Sequence, residues 1–299
     1  MRHLPSAARP TICRHANRRY APTARLVART VVAAVRLFDA VPLRTLPPNA
    51  ITAAAMAFGL ASVYQSLALH HPQTAAWFVL LSVLLDKLDG SVARAIKGSS
   101  EFGVQFDSFS DCTAFGIAPA ALVFASAQTQ TPEMWGQDAV VAGLPAPAVL
   151  AGICLLYAVM TAVRLARFNV MTASIGPYLF LGLPSTLSGG LLCSAFLAAY
   201  ELKLDESHPH AFGLFPLIML VNAVLMVSNL PLPKFKVSKH PAIKAFQLAS
   251  AAAVYVLVPL RTGIAVVLAL LLGYLVVGFG WLGPRMWRAE AATRQAAAS

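Results

Sequence analysis

Residues 86–111 read DKLDGSVARAIKGSSEFGVQFDSFSD, a stretch in which four aspartates stand at short, regular intervals. Asp86 and Asp89 are three residues apart, and Asp107 and Asp111 are four apart, so each pair projects from one face of a helix. Apolar runs lie on both sides of the stretch. The two pairs therefore fall at the end of one predicted helix and the start of the next, where they converge on one cluster.

The composition of the whole chain favours a membrane protein. Of its 299 residues, 58% are hydrophobic and only 12% are charged, whereas soluble domains carry about 25% charged residues. A water-soluble fold cannot hide this much apolar surface, so we expect lipid to be part of the solvent. The net charge of +11 is concentrated at the N-terminus and in the links between apolar runs. That distribution indicates an anionic membrane face and argues against a nucleic-acid partner.

Apolar runs of spanning length predict an all-α, polytopic membrane bundle of about eight transmembrane helices. They lie near residues 50–70, 73–95, 107–128, 141–166, 180–200, 211–230, 243–260 and 263–284. We interpret residues 1–45 as a basic cytoplasmic tail in which 23–38 form an amphipathic helix on the membrane surface. A solvated tail is the alternative for the first 20 residues.

The charges of the links predict the orientation in the membrane. Links with Arg or Lys alternate, almost throughout, with links that are neutral or acidic. Arg94 and Lys97 fall on the side of the basic tail, whereas Glu133 and Asp138 fall on the opposite side. Because basic links face the cytoplasm, we expect both termini and the aspartate cluster there, in a bacterial inner membrane.

Four carboxylates at membrane depth require compensation. One charge at the membrane centre costs at least about 2.5–3.5 kcal/mol, and close carboxylates repel one another unless a cation lies among them. Oxygen ligands suit Mg²⁺ or Mn²⁺, which also bind substrate phosphates. Gly90 and Gly103 allow a ligand or helix to approach, and Arg94 can pair with a phosphate. The alternative, structural ion pairing, lacks enough nearby cations.

The spacing Asp-x2-Asp-Gly-x2-Ala-Arg-x8-Gly-x3-Asp-x3-Asp over residues 86–111 resembles the signature of the CDP-alcohol phosphotransferase family at every fixed position. The resemblance implies a six-helix catalytic core, usually homodimeric, in which an alcohol displaces CMP from a CDP-linked substrate. It implies that Asp86, Asp89 and Asp107 ligate one of two metal ions. Asp111 would ligate the second ion and act as general base.

The same resemblance implies a nucleotide site. Gly90, Arg94 and a hydroxyl near Ser100 would contact the CDP moiety. Upstream, residues 48–52 read PNAIT and look like the Pro-Asn-x-x-Thr start of the family, in which Asn49 and Thr52 line the nucleotide site. Helix N-capping is the alternative role for these two side chains.

Three further segments are similar to the phosphatidylserine synthase branch of the family. They are RLARFN at 164–169, GLPS at 182–185 and the stretch from 226 through Lys236, in which Asn229 replaces a frequent Arg. This implies CDP-diacylglycerol and L-serine as substrates. Arg164 and Arg167 could hold the serine carboxylate and Asn169 could orient the acceptor. Membrane anchoring or lipid-phosphate pairing of the arginines, and helix capping by Asn169, are the alternatives.

The resemblance covers roughly residues 45–240, so we expect a core over 46–240. Two additional helices over 241–284 and a cytoplasmic tail over 285–299 follow it.

Glycerol phosphate or inositol phosphate is the alternative acceptor. A divalent-cation transporter is the rival class, but it predicts charges spread across membrane depth rather than gathered at one end. Since the histidines lie in the tail, in links or at the edge of a span, no Ser–His or Cys–His pairing is indicated, and we expect direct displacement without a covalent intermediate.

Overall fold

The protein is described by a computed structural model that covers residues 43–98, 100–171, 179–233 and 241–288. Three predicted features lie outside these residues: the basic tail with its amphipathic helix, the lysines between 234 and 240, and the end of the C-terminal tail from 289 onwards.

Helices dominate the described residues because apolar, largely unbranched side chains fill the predicted spans. The α-helices are α1 Leu46–Leu67, α2 Pro72–Ala95, α3 Glu101–Asp111, α4 Ala118–Gln130, α5 Pro132–Trp135, α6 Ala146–Met171, α7 Ser185–Glu201, α8 Leu204–Ser207, α9 Phe215–Val227, α10 Pro241–Leu260 and α11 Ile264–Val277. Leu43–Thr45 and Pro209–Leu214 form 3₁₀ turns, and Cys112–Ile117 and Gly278–Leu282 form π-helical turns.

Within the described residues, five helical stretches are long and apolar enough to cross a membrane. They are Leu46–Leu67, Glu101–Gln130, Ala146–Met171, His210–Val227 and Ile264–Arg288. The predicted fold class, an all-α multi-pass membrane protein, is therefore confirmed. The helices α2, α7 and α10 also coincide with predicted spans but are not among the five, so the count of eight stays a prediction.

Two small antiparallel pairs connect the helices. β1 (Val140–Val141) pairs with β2 (Leu144–Pro145) across a turn in which Ala142 and Gly143 both have positive φ, at 51° and 79°. Positive φ at both central residues is the geometry that suits a two-residue hairpin. β3 (Leu179–Leu181) pairs with β4 (Pro231–Pro233), so the segment before α7 is tied to the segment after α9.

Close helix packing surrounds the π-helical turn that follows α3. A Cβ on Gly59 of α1 would lie 2.8 Å from the Cα of Ala114, and a Cβ on Gly189 of α7 would lie 3.3 Å from Phe115. The Tyr157 hydroxyl of α6 donates to the Phe115 carbonyl at 3.0 Å. Three helices thus fix the backbone directly after α3, which supports the two aspartates on that helix.

Candidate active site

One end of the bundle brings the predicted aspartates together, since α2 ends there and α3 begins there. Asp86, Asp89 and Asp107 each place a carboxylate oxygen within 4.8 Å of the other two, and we call this group the carboxylate triad. Asp89 is buried, whereas Asp86 and Asp107 are partly exposed, so the triad opens on one side. Asp111 lies outside the triad and is 8% exposed.

The carboxylate triad fits a divalent cation. Its donors are all carboxylate oxygens, which is the set that Mg²⁺ and Mn²⁺ prefer. In the described part of the chain, Lys87 makes the one ion pair with these aspartates, from its Nζ to Asp86 Oδ2 at 2.8 Å. A single ammonium leaves a surplus of negative charge, which a divalent ion would balance.

Neighbouring groups orient two of the triad carboxylates. The Thr52 hydroxyl of α1 donates to Asp89 Oδ2 at 2.8 Å, and the backbone N–H of Gly90 donates to the other oxygen of Asp89. From α7, the Thr186 hydroxyl donates to Asp86 Oδ2 at 3.3 Å. Because α1 begins at Leu46, Thr52 lies inside the helix rather than at its N-cap, and its hydroxyl lies 3.0 Å from the Pro48 carbonyl as well as within reach of Asp89.

The predicted nucleotide contacts lie around the start of α3. Ser100 caps this helix, since its hydroxyl accepts the N–H of Gly103 at 3.0 Å. A Cβ on Gly103 would lie 3.1 Å from both the Ser100 hydroxyl and Asn49 Oδ1. Glycine therefore lets the start of α1 approach the start of α3, so that Asn49 and Ser100 come close to one another.

Arg94 lies on the same side of α2 as Gly90. Its exposed guanidinium donates to the Ser91 hydroxyl at 3.3 Å, and its Nη1 would be 3.4 Å from a Cβ placed on Gly90. The guanidinium thus covers Gly90, whose N–H holds Asp89. This location, beside the triad and open to solvent, suits a phosphate ligand.

Asp111 takes part in a separate, buried contact. The Ser185 hydroxyl at the start of α7 donates to Asp111 Oδ2 at 3.4 Å, and Arg164 Nη1 of α6 donates to the Ser185 oxygen at 2.8 Å. Ser185 is 0% exposed and Arg164 is buried as well. The resemblance at residues 182–185 pointed to this segment, but neither the contact with Asp111 nor the role of Thr186 was predicted.

The three predicted acceptor residues have different hydrogen-bond partners. Arg167 Nη1 donates to the Val227 carbonyl at 2.8 Å, and its Nη2 donates to the carbonyls of Leu181 and Ser228, both at 3.0 Å. Arg167 therefore fastens the end of α6 to the β3–β4 region, while Arg164 faces Ser185. Asn169 is exposed and donates to the Ser108 hydroxyl at 2.9 Å, which places it against α3 between Asp107 and Asp111.

Comparison with known proteins identifies the family. The model of the CDP-alcohol phosphatidyltransferase family matches residues 45–282, including α10 and α11. The chain is similar to enzymes named CDP-diacylglycerol–serine O-phosphatidyltransferase. It is 31% identical to that of Helicobacter pylori over 189 residues, which are 63% of this chain and 72% of the relative. Identity to that of Mycobacterium bovis is 26% over 262 residues, 83% and 85% of the two chains. For Bacillus subtilis it is 28% over 200 residues, 65% and 93%.

Proposed function

The chain belongs to the CDP-alcohol phosphatidyltransferase family, and from this premise we propose that it transfers the phosphatidyl group of CDP-diacylglycerol to L-serine. The products would be phosphatidylserine and CMP. The observation that carries the proposal is the carboxylate triad next to the separately held Asp111, on a chain whose relatives are named for the serine reaction.

The triad residues would hold divalent metal at the mouth of the site. We propose two ions, Mg²⁺ or Mn²⁺, with Asp111 as a ligand of the second. When bound, the metal would neutralise the diphosphate and stabilise the departing CMP. On the protein side, Thr52 and Gly90 fix Asp89 by hydrogen bonds, while Arg94, Asn49 and Ser100 would bind the CDP moiety.

Asp111 would remove the proton from the hydroxyl of the serine substrate while the serine oxygen attacks the lipid-bearing phosphorus in line. The bond from serine oxygen to phosphorus forms while the bond from that phosphorus to the CMP phosphate oxygen breaks. We propose that Asn169 contacts the acceptor, because it lies beside Asp107 and Asp111 through Ser108. Arg164 and Arg167 have protein partners and would support the acceptor site from behind.

We propose that the carboxylate end faces the cytoplasm of a bacterial inner membrane. Arg94 lies in the last turn of α2 and Lys97 follows that helix at this end, whereas Glu133 and Asp138 lie in the link at the other end of the bundle. That asymmetry is what the positive-inside rule describes. Soluble serine would then meet a lipid whose tails stay in the bilayer. A homodimer, and a division between a core and two additional C-terminal helices, also remain proposals.

Release of CMP by the purified protein tests the acceptor. The protein in detergent is given CDP-diacylglycerol with serine, glycerol 3-phosphate, inositol phosphate or no alcohol, in Mg²⁺ or Mn²⁺ and again with a chelator. Of these alcohols, we expect only serine to support CMP release, and we expect no release after chelation of the metal. Release with another alcohol but not with serine would refute the acceptor. Metal uptake into liposomes without any nucleotide turnover would favour a transporter.

A further inference from the structure

We infer that Ser185 is a positioning residue for the Asp111 carboxylate, with buried Arg164 supplying the counter-charge behind it. The inference rests on the proposed function, in which Asp111 takes the acceptor proton. It assigns to these two side chains a task inside the protein rather than contact with the serine substrate.

The direction of the hydrogen bonds follows from the chemistry of the groups. A guanidinium can only donate, and a serine hydroxyl carries one proton together with two acceptor lone pairs. Since Arg164 Nη1 donates to the Ser185 oxygen at 2.8 Å, the single Ser185 proton is left for Asp111 Oδ2, 3.4 Å away. Among the described residues this is the hydrogen bond that the Asp111 carboxylate receives, and it engages only one of the two oxygens.

The burial of the three groups explains why such a contact is needed. Asp111 is 8% exposed, Ser185 is 0% exposed and Arg164 is 8% exposed. A buried carboxylate without a counter-charge is strongly disfavoured, and Lys87 pairs with Asp86 instead. The buried guanidinium of Arg164 is linked to Asp111 through the Ser185 hydroxyl. It also lies over the ring of Phe168.

The backbone around Ser185 makes it a firm anchor. Ser185 is the first residue of α7, and the segment before it is held by the Gly182 N–H on the Leu230 carbonyl and the Leu183 N–H on the Leu225 carbonyl. Gly182 has φ of +76°, and a Cβ there would lie 2.4 Å from the Met226 carbonyl oxygen. Glycine is therefore required for this approach. The hydroxyl of Ser185 is thus fixed relative to α9, independently of α3.

A carboxylate held at one oxygen keeps a defined orientation, and misplacement of a reacting group by about 1 Å can cost about 100-fold in rate. Ser185→Ala should therefore lower kcat by about 10- to 100-fold. The KM values for CDP-diacylglycerol and acceptor should stay within about twofold, since no binding contact is lost. Mn²⁺ binding by the carboxylate triad, measured by electron paramagnetic resonance as the tighter of the two ions, should not change because the triad is untouched.

Ser188→Ala is the matched control. Ser188 lies one turn further along α7, is equally buried, and contacts the Tyr157 hydroxyl at 3.1 Å rather than an aspartate. Ser185→Thr keeps a hydroxyl and should recover at least part of kcat. Thermal unfolding of each variant in detergent is compared with the wild type, and activity is measured with serine and with the best alcohol of the panel. A wrong acceptor would therefore leave the Ser185 comparison intact.

Two results would overturn the inference. If Ser185→Ala and Ser188→Ala had the same kcat, the Ser185 hydroxyl would serve packing alone. If Ser185→Ala raised the KM for the acceptor and left kcat unchanged, its hydroxyl would bind the substrate directly. A fall in kcat at constant KM and constant Mn²⁺ affinity, restored by threonine, supports the positioning role.

Discussion

The two ends of the helical bundle differ in the side chains that they bring together. At the carboxylate end, the last turns of α2 and the second half of α3 carry four aspartates, one of which pairs with a lysine. At the other end, where α4 and α7 finish, rings fill the space. This aromatic end is defined by side chains whose ring centroids lie 4.9–5.8 Å apart: Phe196, Tyr200, Phe212 and Phe215.

Two polar side chains at the aromatic end donate to neutral partners. The Trp135 indole donates to the Gly213 carbonyl at 2.9 Å, and the Gln130 amide donates to the Tyr200 hydroxyl. At the carboxylate end the aspartates also accept hydrogen bonds from Thr52, Thr186 and Ser185, but among the described residues their negative charge exceeds the positive charge paired with it. We infer from this difference that the carboxylate end could bind a cation, whereas packing at the aromatic end stabilises the fold. Substitutions at the two ends should therefore fail in different assays.

The largest effect is expected for Asp111→Asn at the carboxylate end. Loss of the general base should lower turnover by about 1,000-fold, while the melting temperature and CDP-diacylglycerol binding stay near wild type. Steady-state CMP release and equilibrium binding of the lipid nucleotide measure these quantities. Near-normal turnover in this variant would remove Asp111 from the proton-transfer role.

Phe212→Ala probes the aromatic end. Phe212 is 1% exposed and meets the ring of Phe196 edge-on at 5.3 Å. Its truncation should lower the free energy of unfolding by about 3–5 kcal/mol, and kcat measured well below the melting temperature should not change. Phe246→Ala is the control, because that ring on α10 is 66% exposed. A loss of kcat without a loss of stability would contradict the division between the ends.

Arg167→Gln tests whether this arginine contacts the substrate or stabilises the fold. Its bonds to the Val227 and Ser228 carbonyls are worth about 1–3 kcal/mol each when a charged group is involved. We therefore expect a lower melting temperature at an unchanged KM for serine. Arg261→Gln, at an exposed position beyond α10, is the control. A raised KM for serine at unchanged stability would instead place Arg167 against the substrate carboxylate.

The smallest effect is expected for Lys87→Met. The Lys87 ammonium lies 2.8 Å from Asp86 Oδ2, so a divalent ion must compete with it for that carboxylate. Its removal should tighten Mn²⁺ binding about threefold, which corresponds to well under 1.4 kcal/mol. Lys97→Met removes a cation just beyond α2 without touching Asp86 and should leave Mn²⁺ affinity unchanged. Weaker Mn²⁺ binding by Lys87→Met would mean that the lysine orients Asp86 instead.

The sequence was sufficient for the helical class and for the triad, and the reason is local periodicity. The spacing of Asp86 and Asp89 is a property of one helix, and Asp107 lies on the next, only a short link away. The family relationship that the spacing predicted is confirmed by the match over 45–282. The start of the third predicted span, in contrast, was placed at 107 although α3 begins at Glu101. Glu101, Gly103 and Gln105 interrupt the apolar residues of its first two turns, so a search for apolar runs misses them.

Contacts between distant residues could not be read from spacing. Ser185 and Asp111 are separated by 74 residues, and Thr186 and Asp86 by 100. The resemblance identified the segment of Ser185 but not its partner, since that depends on how α7 packs against α3. The contact of Arg167 with the acceptor stays a prediction, and its hydrogen bonds to carbonyls far away in the sequence could not be predicted because only folding brings them near. The sequence does not show whether a charged side chain near a site binds the substrate or donates hydrogen bonds to the protein's own backbone.

The most direct test of the account is Asp107→Asn, followed by two readouts on one preparation. Mn²⁺ binding is measured by electron paramagnetic resonance, and phosphatidylserine is measured by mass spectrometry beside CMP. Asp138→Asn, at an exposed position of the opposite end, is the control. We expect the wild type and the control to bind Mn²⁺ and to form phosphatidylserine and CMP in equal amounts, while Asp107→Asn loses both at unchanged melting temperature. Wild-type Mn²⁺ binding and phosphatidylserine formation by Asp107→Asn would contradict the assignment of the carboxylate triad.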